Sequence, residues 1–112
     1  MTAIPELWFD PSRCLIAGEW VPATAGTLPL HDPSTGEEIG AIARGGKAEI
    51  DAAVTAATDA FDGIWHRTPA VERGRILTRL GQLVLDRIDA LAILEARDVG
   101  KPMKQARADV VA

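Results

Sequence analysis

Cysteine is almost missing from this chain: Cys14 stands alone among 112 residues. One thiol excludes an internal disulfide framework and a cysteine-rich zinc site, and it suits a reducing compartment. Long apolar runs are missing as well. No stretch nears the roughly 20 residues a helix needs to cross a bilayer, and the opening MTAIPELWFD has neither the basic start nor the apolar block of a secretory signal. Nor is there a surplus of positive charge. The net charge is −4 and the pI is near 5.1, which argues against a nucleic-acid partner and against an anionic membrane. A cytoplasmic setting is the expectation.

Complete chemical motifs are also lacking. In ARGGKAE, glycines and a lysine precede a helix start, as in a phosphate loop. The spacing fails, because Ala41 stands where the first glycine is needed and Ala48 where Ser or Thr should follow Lys47. No Gly-x-Gly-x-x-Gly occurs, so a free-standing nucleotide binder is disfavoured. His31 and His66 each lack a companion at ligand spacing. Glu37 and Glu38 are neighbours in a turn and strand and point to opposite faces, so they cannot work as an acid/base pair. Cys14 opens a strand with only Arg13 nearby, which makes it a packed thiol rather than a nucleophile. Arg75 and Arg79 share a helix surface with Glu72 and Asp86 and read as a salt-bridged, solvated face. Lys101 and Lys104 crowd a helix start, where the helix dipole disfavours them. They read as a surface pair, with an anion site the alternative.

What remains is an ordinary globular composition, 47% apolar and 25% charged, of a size for at most one small domain. Met1 to Arg13, with two prolines and no periodicity, reads as an arm whose Trp8 and Phe9 lie against something. CLIAGEWVPA holds two β-prone runs around a tight turn at Ala17-Gly18. DPSTGE is a second turn, with Asp32 and Ser34 as side-chain acceptors, Pro33 fixing φ and Gly36 allowing positive φ. Residues 14–45 therefore read as hairpins forming a small meander.

After Gly45-Gly46 the period becomes helical, and residues 47–112 read as about four helices. Ile50, Val54, Ala57, Phe61 and Ile64 mark the first, with Gly46 as cap, Glu49 in the capping-box place and Gly63 as its end. Thr68-Pro69 predicts a second start, hydroxyl at the cap and proline at the first helical position. That helix carries Ile76, Leu77, Leu80, Leu83 and Val84. A register shift at Asp86–Asp89 opens a third helix that ends at Gly100, and Pro102 opens a fourth. Each stripe needs a surface to cover it, and the strands are too few to do so. Together with a last helix that has no stop signal, this gives the expectation that the sequence continues beyond Ala112.

GEW, then DPSTGE-x-I-G, an Ala-rich helix ending in AAxxAF, a tryptophan, TPAVERGRIL and DVGKP, in that order, resemble the N-terminal part of the aldehyde dehydrogenase superfamily. The resemblance runs from about Leu15 to the end. It implies an α/β fold, with residues 14–112 forming part of a Rossmann-like NAD(P)-binding domain that is incomplete here. It implies an enzyme that oxidises an aldehyde to a carboxylic acid with NAD or NADP, through a cysteine thioester, and that is homo-oligomeric at full length. The family's catalytic cysteine, general-base glutamate and coenzyme glycines map to no residue here, so catalysis is not expected of these residues alone. Many members hold a structural monovalent cation, and the matching positions are Leu30, His31 and Asp98. Leu30 stands where threonine is frequent and could offer only its carbonyl. A stand-alone helical interaction module derived from the enzyme is the alternative.

Overall fold

The computed structural model describes residues 7–112, so the first six residues of the expected arm lie outside the described part. The described residues form two compact units. One holds 9–29 and 40–73; the other holds 7–8, 30–39 and 74–112.

In the unit of residues 9–29 and 40–73, β1 (Arg13–Ile16) pairs antiparallel with β2 (Glu19–Pro22), with Cys14 opposite Val21 and Ile16 opposite Glu19. Only Ala17 and Gly18 join them, and both have positive φ, 53° and 81°. That is the turn whose twist matches a two-residue hairpin. Phe9 stacks on Trp20 with ring centroids 5.5 Å apart, so one aromatic of the arm has its surface. The helix α1 (Lys47–Asp62) follows and packs against β1. The sequence reading missed α2 (Ile64–Arg67), a single helical turn after Gly63. Here the Thr68 hydroxyl corrects an expectation. It donates to the Ile64 carbonyl at 2.7 Å and so closes α2 instead of capping the next helix. Arg73 reaches back to the Thr68 carbonyl at 2.7 Å and lies over the Trp65 ring, which secures the same turn from the other side.

A second two-stranded ribbon joins β3 (Thr27–His31) and β4 (Glu38–Ala43). Their connection is too short for a parallel crossover, so it is a hairpin. The expected meander is thus two separate ribbons, because β2 and β3 do not pair. The strands-then-helices order of an α/β segment holds.

In the other unit, the later part of α3 (Ala70–Leu85) is followed by α4 (Ile88–Val99) and α5 (Met103–Val111). The break between α3 and α4 falls where the register shift put it. Gly100 ends α4 at φ 72°, while Pro102 is the residue before α5 rather than its first. α4 and α5 pack against each other, and Ala92 on α4 and Ala106 on α5 are fully buried. Trp8 lies under the Arg87 guanidinium, 5.5 Å from ring to cation. No large side chain is fully buried among the described residues, and Ile76, Leu77 and Leu80 remain more than half exposed.

Candidate functional site

The most constrained cluster of charge gathers where the β3–β4 turn meets the end of α4. Asp32 is buried, and one carboxylate oxygen accepts from the Ser34 amide at 2.8 Å. Its backbone closes the turn twice. The Asp32 amide donates to the Glu37 carbonyl at 2.8 Å, and the Gly36 amide donates to the Asp32 carbonyl at 2.7 Å. Gly36 has φ 75°, as the turn needs. The other Asp32 oxygen lies 3.4 Å from the Arg97 guanidinium, so the buried charge is paired, as burial of a carboxylate requires. The Arg97 Nε is buried and has no hydrogen-bond partner among the described residues. Just beyond α4, a Cβ on Gly100 would stand 3.0 Å from Cγ of Pro33. The DPSTGE and DVGKP motifs, distant in sequence, therefore meet.

The residues expected to hold a cation adjoin these in sequence. Leu30 is half-buried and His31 exposed at the end of β3; Asp98 is exposed on the last turn of α4. Sequence reasoning missed Asp32 and Arg97 as partners. A charge-bearing Asp32 in a turn already had a local explanation, and no local signal in the sequence ties Arg97 to it.

A second polar cluster explains the failed phosphate-loop reading. The Glu49 carboxylate accepts from the Gly46 amide at 2.6 Å, from the Thr24 hydroxyl at 3.0 Å and from the Thr24 amide at 3.3 Å. These bonds, led by that of Gly46, hold its carboxyl below the usual range. The seat an incoming phosphate would take at the start of α1 is filled by the chain's own carboxylate. Gly46 has no side chain, so the return bond of Glu49 is the only half of a capping box present.

Lys101 is no anion receptor, because its ammonium bonds to Glu95 and Asp109, each at 2.6 Å. The two carboxylates, Asp109 first, raise its pKa. Cys14 is half-buried in β1. His66 is exposed and tilted against Phe61 at 6.2 Å. No three His, Cys, Asp or Glu side chains come together as a metal would need, among the described residues.

The described residues thus combine two antiparallel ribbons with five helices, an α/β arrangement. The profile of the aldehyde dehydrogenase family matches residues 20–112, and the chain belongs to that family. It is 45% identical over 103 residues to the mitochondrial benzaldehyde dehydrogenase of Antirrhinum majus, covering 90% of this chain and 19% of that protein. HpcC from Thermus thermophilus superposes with a TM-score of 0.86 at 44% identity, covering 91% of this chain and 20% of that one. A betaine aldehyde dehydrogenase variant from Staphylococcus aureus, solved in complex with NAD+, superposes with a TM-score of 0.84 at 31% identity, over 89% and 20%. The chain spans about a fifth of the length of these relatives. The resemblance read from GEW, DPSTGE and DVGKP holds.

Proposed function

We propose that these residues are the N-terminal part of an NAD(P)-dependent aldehyde dehydrogenase that oxidises an aldehyde to a carboxylic acid through a cysteine thioester. The observation that carries this reading is the family match over residues 20–112. NAD(P)+, when bound, takes the hydride; none of the described residues is assigned to hold it. The contribution of this chain is scaffolding. The Asp32–Arg97 pair and the Pro33–Gly100 contact fix one end of the β3–β4 hairpin, and Glu49 fixes the start of α1. The whole enzyme on this reading is a cytoplasmic homo-oligomer, and no helix among the described residues is long and apolar enough to cross a membrane.

The test is the gene product purified from its own cells, supplied with aliphatic or aromatic aldehydes and NAD+ or NADP+. An aldehyde-dependent rise in absorbance of the reduced coenzyme is expected, and Cys14→Ser should leave that rate unchanged. Absence of any such rise with every pairing would overturn the assignment.

A structural monovalent cation belongs to the same proposal, held by the carbonyls of Leu30 and His31 and the carboxylate of Asp98. Oxygen donors with a single carboxylate suit a hard cation of low charge, and the contacts of Asp32 and Pro33 with the end of α4 support the neighbourhood. In the purified enzyme, replacing K+ and Na+ by choline at constant ionic strength should lower the thermal midpoint, and Asp98→Asn should abolish the difference. Equal midpoints in both salts would remove the cation from the account.

A further inference from the structure

We draw no further inference here: the strongest candidate, the exposed apolar stripe of Ile76, Leu77, Leu80 and Leu83 along α3, carries nothing because nothing in the structure shows what covers it.

Discussion

Gly100 has to satisfy two conditions at once. Its φ of 72° lies in the region that side chains resist, and its missing Cβ leaves room for the Pro33 ring, which would otherwise be 3.0 Å away. Gly18 meets only the first condition: φ is 81°, and nothing lies within 4 Å of the place a methyl group would take. The two positions therefore separate strain from steric contact. Gly18→Ala should cost about 1 kcal/mol for the left-handed backbone alone. Gly100→Ala should cost about 2 kcal/mol, because the rigid proline ring must also shift. Urea titration of both variants measures the difference, and equal losses would show that Pro33 gives way freely. The strain half of this argument is legible in sequence, since glycine after a helical run signals a helix end. The Pro33 contact is not, because it joins residues far apart in the chain.

At the scale of elements, hydrophobic period and turn chemistry located most of the structure. The Ala17-Gly18 hairpin, the Asp32 turn, α1 and the ends of α3 and α4 all follow from local residues. What failed was competition between neighbours. Thr68 could cap the following helix or close the preceding one, and the nearby Ile64 carbonyl took its hydroxyl. Glu49 was placed correctly as the residue reaching back to Gly46, yet its grip on Thr24 across the chain could not be read. That grip makes the start of α1 acid-sensitive. The folded carboxyl titrates below its ordinary value of 4.5, so the folded state binds its proton less readily than the unfolded chain. The stabilisation is whole above that value and fades as pH falls through it towards the folded pKa. Asp10, held low chiefly by its bond from the Ser12 hydroxyl, fades in the same direction, so the wild type alone cannot apportion the loss. Glu49→Gln should flatten the acid limb of stability against pH and leave the Asp10 share. Unfolding midpoints measured from pH 7 down to pH 3 test this, and an unchanged acid limb would mean that Glu49 carries none of it.

For the whole molecule, the telling fact is what the side chains leave uncovered. Only Ala92 and Ala106 form a fully buried apolar core among the described residues, while Ile50, Val54 and Phe61 on α1 and Ile76, Leu77 and Leu80 on α3 stay more than half exposed. Periodicity showed which residues share a face; it could not show what lies against it, since the covering surface is not encoded in the stripe. On the proposed reading, the rest of an aldehyde dehydrogenase supplies that surface. Leu80 makes this testable because its environment should differ between the two contexts. In these residues alone it is 56% exposed, and Leu80→Lys should change stability by no more than about 0.5 kcal/mol, as surface substitutions do. In the full-length enzyme the same change should cost about 3 kcal/mol or more, from lost apolar burial and an unpaired charge. Thr78→Lys, on the opposite face of α3, should be tolerated in both. Chemical denaturation of the three proteins in each context decides the matter: a small loss for Leu80→Lys in the full-length enzyme would mean that the stripe faces solvent there too, and the scaffold reading of α3 would fall.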